Sequence, residues 1–400
     1  MKPVEKALGK KSAYGPDVDL SKYEMGPESM DAIDDLSKAP EDIRVKMEEV
    51  GIMADEKGRD GSLVIINNAV GHCSLNISDG MELMPLNKAV EKYPWLSEYM
   101  WKLVEPDKDK FTATAYMGKA SGYFIRILEG HHVKNPIQTC MMIGKDKSIQ
   151  NLHNIVIVEK DASCEILTGC ATGNHASDSL HIGVSEFYVK EGGNLTYSMI
   201  HSWGDDTVVR PRTGVKLEKG ARFTNNYVIL NPVGTMQSAP VVHLDGEGSS
   251  CRLNTVCLAH KGSDVDTGGT VYLNAQGTSA EIISRSITKG GRMVARGRLV
   301  GNVDKVKAHL ECRSIVLDDG GVTLAIPELE TKVADVEMTH EAAVGKIERD
   351  KIEYLMSRGL TEDEAVSMIV RGFLVGGIRG LPEELERDIE EAIAQANLGD

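Results

Sequence analysis

Two short stretches near the carboxyl end of the sequence combine residue types that bind iron. Cys312 lies in the first stretch, and His340 and Glu341 lie side by side in the second. A thiolate donates strongly to iron, and an imidazole and a carboxylate complete a coordination shell less tightly. The pattern indicates an iron site if the fold brings the two stretches together. The alternative is structural: Cys312 packs in a core, and the His340–Glu341 pair caps a following helix.

A glycine repeat predicts the architecture that would bring these stretches together. Gly193, Gly220, Gly248 and Gly277 each come shortly before a β-branched segment. Their spacing of roughly 28 residues is typical of repeat folds, and the short intervals between strands argue against helical crossovers. Stacked coils of parallel strands, a β-solenoid or β-helix, explain the period best, with a β-sandwich as the alternative. Residues one period apart, as Cys312 and His340 are, would then stack on neighbouring coils.

The remaining pattern divides the chain into three regions. Residues 1–108 form an N-terminal helical and mixed region, 109–338 the parallel β-helix core, and 339–400 a C-terminal helical domain. Strands are predicted at 122–128, 155–159, 195–200, 223–230, 252–259 and 280–287. Helices are predicted within 29–50, 87–103, 346–358, 361–373 and 382–396. Thr361 and Glu364 form a capping box at the start of the fourth helix.

The composition excludes several classes of function. Forty-five basic residues against 60 acidic ones give a net charge of −15, which argues against nucleic-acid binding through phosphate neutralisation. No apolar run is long enough for a membrane span, and the N-terminus lacks the apolar segment of a signal peptide. The seven cysteines contain no CxxC pair, which disfavours a structural zinc site. We expect a cytoplasmic protein.

Familiar catalytic motifs are missing from the sequence. It contains no GxxxxGK[ST] sequence, so the chain is not itself a P-loop ATPase, and it contains no HExxH or GxSxG. A β-helix enzyme acting on polysaccharides is the alternative from another class, because such enzymes use clustered carboxylates. The acidic pairs Asp205–Asp206 and Asp318–Asp319 would serve it, but glycines beside both pairs indicate solvated turns.

Four segments resemble the SufB/SufD family of scaffold proteins from the SUF iron–sulfur cluster assembly system. The most specific is 340–374, HEAAVGKIERDKIEYLMSRGLTEDEAVSMIVRGFL. Residues 122–138 resemble the entry strand of the family, residues 167–181 its EGC…SLH segment, and residues 201–203 its Q-N-W element. The resemblance covers about residues 110–398. It is closest to the short archaeal form, in which one protein plays both scaffold parts.

The resemblance implies a fold and partners. The family fold is a right-handed parallel β-helix flanked by N- and C-terminal helical regions. Two scaffolds pair through their β-helices, which implies a homodimer here. Each C-terminal helical region docks the ABC-type ATPase SufC, so the energy source is a partner subunit and the scaffold is not an enzyme. Apo iron–sulfur proteins are the recipients of the cluster.

The resemblance also implies roles for individual residues. In the family a Cys and a Glu of SufB, with a His of SufD, hold the nascent cluster at the interface, and they match Cys312, Glu341 and His340. The expected cargo is a transient [4Fe–4S] cluster. Iron and the neighbouring Arg313 are expected to favour the Cys312 thiolate. A SufD-like structural partner without its own cluster remains the alternative role.

A sulfur route through the β-helix is implied as well. Cys170 matches the cysteine that accepts persulfide sulfur, Trp203 matches a residue lining the route, and His201 stands where the family has glutamine. Two further positions on the route, an Arg and an Asn in the family, are Met142 and Gly144 here. Because of this difference, two alternatives to the route remain open. Sulfide or another donor reaches the site directly, without the route; Cys170 is then a packed thiol and not a sulfur acceptor.

Overall fold

The computed structural model describes residues 3–12, 14–76, 79–118, 121–174, 176–375 and residue 387. The α-helices are α1 Pro3–Ala7, α2 Glu41–Glu48, α3 Leu86–Lys92, α4 Lys110–Met117, α5 Arg349–Met356 and α6 Glu362–Val375. Short 3-10 helices span Leu20–Lys22, Leu36–Lys38 and Pro94–Glu98. In the described part of the chain, no helix has the length and apolar character needed to cross a membrane.

Twenty-three strands make up the body of the described molecule. They are β1 Glu24–Met25, β2 Gly61–Ile66, β3 Ala69–Leu75, β4 Met81–Pro85, β5 Tyr123–Ile127, β6 Ile137–Ile143, β7 Ser148–Val158, β8 Ser163–Thr172, β9 Leu180–Val189, β10 Asn194–Ser202, β11 Val208–Val209, β12 Arg212–Leu217, β13 Arg222–Ile229, β14 Thr235–Ser238, β15 Val241–Leu244, β16 Ser250–His260, β17 Asp264–Thr267, β18 Thr270–Leu273, β19 Ser279–Lys289, β20 Arg292–Gly301, β21 Val306–Val316, β22 Val322–Thr331 and β23 Val336–Gly345.

These strands stack into a parallel β-solenoid, which confirms the predicted fold class. Sheet 1 has 13 strands and contains the path β11-β14-β17-β20-β18-β15-β12-β9-β7-β5-β4. Sheet 2 has ten strands in the order β23-β21-β19-β16-β13-β10-β8-β6-β2-β3. The chain passes from one sheet to the other along each coil, and the ladders from β6 to β23 in sheet 2 are all parallel. A β-sandwich is therefore excluded.

The glycine repeat lies at the turns between coils. Gly192, beside the predicted Gly193, and Gly220, Gly248 and Gly277 have positive φ angles of 68, 65, 68 and 72 degrees. Left-handed backbone costs least for glycine, which lacks a Cβ atom. The turns also hydrogen-bond to one another, since the N–H of Gly220 donates to the carbonyl of Glu247 at 2.9 Å. The repeat seen in the sequence is thus the stacking period of the solenoid.

Apolar side chains from both sheets fill the interior of the solenoid. Its core includes Leu63, Ile125, Phe187 and Leu310, each fully buried. The outer face of sheet 2 carries a second apolar cluster, which α2 and α6 help to cover. The N-terminal segments, including α3 and α4, cover the outer face of sheet 1. Burial on both faces is what parallel sheets require.

The C-terminal helices follow the last strand directly. Gly359, with a φ of 100 degrees, lies after α5, where a left-handed residue commonly ends a helix. The predicted capping box is present: the N–H of Glu364 donates to the Thr361 hydroxyl, and the N–H of Thr361 donates to the Glu364 carboxylate. The predicted helix at 382–396 lies outside the described residues.

Candidate functional site

Cys312 lies on the inward face of the last coil but one. It belongs to β21, is 1% exposed, and packs in the interior core with Leu310, which shares its face of the strand. Its neighbours across the ladder are Ser284 on β19 and Ala342 on β23. The coil that ends in β23 is therefore slightly longer than the coil before it, and Ala342 rather than His340 stands level with Cys312.

His340 and Glu341 lie on β23 but on opposite faces of the strand. His340 pairs with Leu310, so it shares the inward side of the ladder with Cys312, one step along the strand from Ala342 on that side. Glu341 pairs with Glu311 on the outward side, because successive residues of a strand alternate between faces. Both residues are exposed. Within one chain, the fold puts Cys312 and His340 on one face and Glu341 on the other.

A charge network surrounds Glu341 on the outward face. Arg313 donates to Glu341 at 2.7 Å and also pairs with Glu311 at 2.6 Å. Arg285, from the preceding coil, pairs with Glu311 at 2.7 Å and is nearly buried. Its guanidinium lies 6.0 Å from the ring of Phe373 in α6. The network thus runs from the last strand to the last described helix. Sequence reasoning missed Arg285, although it lies one coil period before Arg313 and pairs with it across the ladder.

The surroundings of Cys312 keep its thiol protonated near neutral pH. The pKa of Cys312 is raised to about 11, chiefly by burial and then by the charge of Glu311, against the lowering effect of Arg285. Arg313, expected from sequence to favour the thiolate, faces the opposite side of β21 and pairs with acidic groups. Iron binding would therefore have to displace the thiol proton.

The described residues of a single chain do not make a complete metal site. Among them, no three His, Cys, Asp or Glu side chains lie close enough together to hold a metal ion. A thiol and an imidazole on one face fit the chemistry of iron, but they leave a coordination shell unfilled. Ligation by Cys312, His340 and Glu341 stays a prediction.

Cys170 lies deep in the interior, on β8. It is fully buried and pairs with Met141 on one side and with His201 of β10 on the other. Burial, and then the neighbouring Cys140, raises the pKa of Cys170 far above the ordinary value for a thiol. The fold therefore brings Cys170 and His201 together on adjacent strands, as neutral groups.

His201 and Trp203 belong to one interior aromatic group. The indole N–H of Trp203 donates to Nδ1 of His201 at 3.0 Å, and the His201 ring lies 4.5 Å from that of Tyr227. Burial lowers the pKa of His201 far below its ordinary value and that of His181 to about 3. Nε2 of His201 has no hydrogen-bond partner among the described residues.

A small cavity of about 30 Å³ lies between the sheets next to this group. Its walls include Met141, His181, Met199 and Tyr227. This volume is sufficient to hold a water molecule. Sequence reasoning missed His181 and Tyr227 as members of the group. Alternation of side chains along their strands, which places both residues on the inward face, was the available signal.

Comparison with known proteins gives a consistent result. Residues 141–373 match the model of the SufBD core domain, described as SUF system iron–sulfur cluster assembly. An iron–sulfur cluster assembly SufBD family protein of Methanothermobacter thermautotrophicus is 42% identical over 98% of this chain and 97% of its own length. One from Archaeoglobus fulgidus is 42% identical over 88% of this chain and 94% of its own. The iron–sulfur cluster assembly protein SufB of Bacillus subtilis is 28% identical over 89% of this chain and 78% of its own.

Proposed function

The chain belongs to the SufBD family of the SUF iron–sulfur cluster assembly system, and we propose that it is the scaffold on which a cluster is built and from which apo-proteins receive it. The family carries a role in iron–sulfur cluster assembly. The finer assignment is a transient [4Fe–4S] cluster, held in the cytoplasm by a protein that catalyses no reaction of its own.

One observation carries this proposal: the thiol of Cys312 and the imidazole of His340 lie on the same face of the last two coils. The strand that carries His340 is exposed, so ligands from outside the chain can approach from that side. A scaffold must also release its cargo. One thiolate per chain leaves weaker nitrogen and oxygen ligands, which the cysteines of an acceptor can displace.

A second copy of the chain is the proposed source of the missing ligands. Strands β22 and β23 end the two sheets, and among the described strands nothing pairs with their outer edges. Apolar side chains are exposed there, including Leu324 at 44% and Val344 at 50%. A two-fold dimer through this end would bring two sets of Cys312, His340 and Glu341 to one interface.

Helices α5 and α6 are the proposed docking element for a SufC-like ABC ATPase. They expose Tyr354 at 57% and Met368 at 43%, while Leu374 packs into the cluster on the outer face of sheet 2. A movement of α6 would be transmitted to Glu341 by a continuous series of contacts. These contacts join, in order, Phe373, Arg285, Glu311, Arg313 and Glu341.

Cys170, His201 and Trp203 are proposed to handle sulfur inside the solenoid. The pairing of Cys170 with His201, and the hydrogen bond from Trp203 to His201, support a shared role. Their burial excludes bulk water, which would protect a persulfide from side reactions. The departures at Met142 and Gly144 leave direct delivery of sulfide as the alternative.

Anaerobic reconstitution with iron and sulfide tests the proposal. We expect the wild-type protein to bind iron and gain visible charge-transfer absorption, and Cys312→Ser to lose nearly all of both. Cys257→Ser is the matched control: Cys257 is also a buried, inward-facing thiol, and it pairs with a serine, Ser286, just as Cys312 pairs with Ser284. Each variant is assayed with and without the ATPase partner.

The other outcomes would redirect the assignment. Equal colour in wild type and Cys312→Ser would move the anchor to another cysteine, with Cys170 first. A folded wild type that binds no cluster, even with its partner, would contradict the scaffold role. It would support the SufD-like structural role, which the raised pKa of Cys312 and the incomplete ligand set of one chain favour.

A further inference from the structure

A pocket of about 600 Å³ lies at the N-terminal mouth of the solenoid, at the opposite end from β22 and β23. We call it the mouth pocket; its wall includes Glu28, Val70, Cys73, Lys88, Ser121 and Asn151. Cavities of about 300–1,000 Å³ are the size that small molecules occupy in proteins. Neither the proposed cluster site nor the proposed sulfur residues line it.

Cys73 distinguishes this pocket from the rest of the molecule. It is the exposed cysteine of the seven, and the other six are buried. Burial of its sulfur raises the pKa of Cys73, while the charge of Lys88 lowers it. On balance the pKa of Cys73 is raised, so the pocket offers a reachable thiol whose thiolate Lys88 only partly stabilises.

Asn151 supplies an independent sign that the pocket takes a ligand. The residue is 3% exposed, and its side-chain carbonyl oxygen has no hydrogen-bond partner among the described residues. Its amide nitrogen is used, since it donates to the carbonyl of Thr114 at 3.3 Å. A buried acceptor without a donor is costly, so a ligand N–H would satisfy a group that the protein leaves open.

The mouth pocket is also in line with the proposed cluster site. Cys73 pairs with Leu63 on β2, and the ladder of sheet 2 continues from there without a change of face to Cys312. The intervening partners are Thr139, Thr168, Met199, Tyr227, Thr255 and Ser284. The two thiols stand at opposite ends of one row. Cys170 follows Thr168 on the same side of β8.

Access separates the two candidate sulfur acceptors. Cys170 is fully buried, so a donor outside the protein cannot reach it without opening the core. Cys73 can be reached directly. Sulfur arriving from outside would therefore meet Cys73 first.

We propose that the mouth pocket binds a small amino-acid persulfide, cysteine persulfide, and that Cys73 takes up its outer sulfur. This inference rests on the proposed function, which requires a source of sulfur. The Cys73 thiolate attacks the outer sulfur of the donor and forms a new S–S bond. The S–S bond of the donor breaks, its electron pair leaves on the cysteine product as a thiolate, and the transferred sulfur keeps its proton. No external oxidant or reductant is consumed.

The wall of the pocket offers one cation and one neutral acceptor for the two charged ends of an amino acid. The ammonium group of the donor would give Asn151 the N–H that its carbonyl oxygen lacks. The carboxylate would face Lys88. These contacts would hold the persulfide with its sulfur toward Cys73, which an exposed thiol on a flat surface would not do.

Sulfur uptake can be measured directly. Anaerobic protein is treated with cysteine persulfide, alkylated, digested, and searched by mass spectrometry for one added sulfur on each cysteine peptide. We expect Cys73 to gain sulfur at least about tenfold faster than the six buried cysteines, with a rate that saturates as the donor increases. Excess L-serine, which has the same charged groups and no sulfur, should slow the reaction.

Two lysine variants separate a built site from simple exposure. Lys88→Met should raise the half-saturating concentration about tenfold, the effect of one lost charge contact. Lys92→Met, on the same helix but off the pocket wall, should leave it unchanged. A rate that stays linear in donor and ignores both serine and Lys88→Met would overturn the proposal. So would sulfur appearing first on Cys170.

Failure of this inference and failure of the scaffold role can be told apart. Inorganic sulfide and iron test cluster binding by the wild-type protein without using the mouth pocket. Cluster formation from sulfide, combined with no saturable uptake at Cys73, would refute only the pocket assignment. Saturable uptake with no cluster would refute only the scaffold role.

Discussion

The two ends of the solenoid are finished in different ways. At the N-terminal end, β3 pairs antiparallel with β2 and β4 pairs antiparallel with β5, so both sheets close with a reversed strand. Every residue of β2 is buried. At the C-terminal end, β22 and β23 continue the parallel stack, and their residues are exposed or half-buried.

The contrast shows which end of the solenoid the described chain closes with its own reversed strands. An uncovered strand edge presents free N–H and C=O groups and invites pairing, so proteins usually reverse, charge or cover it. Here the N-terminal end closes with reversed strands, whereas the C-terminal end continues the parallel stack and carries exposed Leu324, Leu329 and Val344. This difference is the physical basis for placing a partner, and the proposed ligands, at the C-terminal end.

A matched pair of leucine truncations would give the largest difference between the ends. Leu63→Ala removes a fully buried side chain from the first coil and should cost about 2–5 kcal/mol of unfolding free energy. Leu324→Ala removes one that is 44% exposed and should cost less than about 1 kcal/mol. Urea unfolding followed by circular dichroism measures both, at a concentration where light scattering finds only monomer.

An equal loss for the two leucine variants would break the comparison, because Leu324 would then be covered within the monomer. A small loss in the monomer, together with weaker self-association of Leu324→Ala at high concentration, would sharpen it. That pair of results would assign Leu324 to the surface between two copies.

Two carboxylates provide the next contrast. Glu186 is fully buried and accepts hydrogen bonds from the N–H groups of Lys102 and Leu103 and from His153, at 2.6–2.8 Å. Glu186→Gln replaces one accepting oxygen with an NH2 group, which cannot accept the hydrogen bonds that point at it. The change should lower the free energy of unfolding by about 1.5–3 kcal/mol. Glu341→Gln changes an exposed ion pair and should cost less than about 1 kcal/mol. Thermal unfolding at neutral pH compares them, and a larger loss for Glu341→Gln would contradict the contrast.

Acid sensitivity should come in part from the covered interior. The pKa of His181 falls from about 6.5 in the unfolded chain to about 3 in the fold because burial disfavours its charged form. Folding stability linked to His181 is therefore complete above pH 6.5 and is lost as the pH falls from 6.5 toward 3. One such group lowers the free energy of unfolding by about 1.4 kcal/mol for each pH unit below 6.5, which is about 2 kcal/mol at pH 5.

His181→Gln tests this assignment. The variant loses the hydrogen bond to Gln150, so it should be less stable than wild type at pH 8. It should nevertheless lose less stability than wild type between pH 8 and pH 5. Urea midpoints at both pH values measure the difference, and parallel losses in the two proteins would mean that His181 does not set the acid response.

Local patterns predicted most of the secondary structure. The predicted strand at 252–259 lies within Ser250–His260, and the one at 280–287 within Ser279–Lys289. The capping box correctly placed the start of α6 at Glu362, directly after Thr361. These successes share a cause: β-branched runs, turn glycines and caps act through neighbours in the chain. The predicted helix at 87–103 divides in the structure into α3 and a 3-10 helix, because Pro94 cannot continue α3.

The geometry of the candidate site could be predicted less well from local sequence patterns. The average period, counted from Cys312, leads to His340, but the last coil is longer than the average, so Cys312 pairs with Ala342. An average period cannot reveal the length of one particular turn. Nor could the sequence show that the charge of Arg285, and not that of the adjacent Arg313, lowers the pKa of Cys312, since that depends on which coil stacks where.

The sequence by itself determined the solenoid, its glycine turns, the capping box of α6 and the family, because each is written in local or strictly periodic residue patterns. The tertiary structure alone decided which face of a strand each candidate residue occupies and how exposed its side chain is. The inter-coil register put His340 with Cys312 and Glu341 with Arg313, and the reversed strands at the N-terminal end left Cys73 at the mouth of the interior row. Register is fixed by hydrogen bonds between residues a whole coil apart, and a shift of one position would exchange the two faces of the strand.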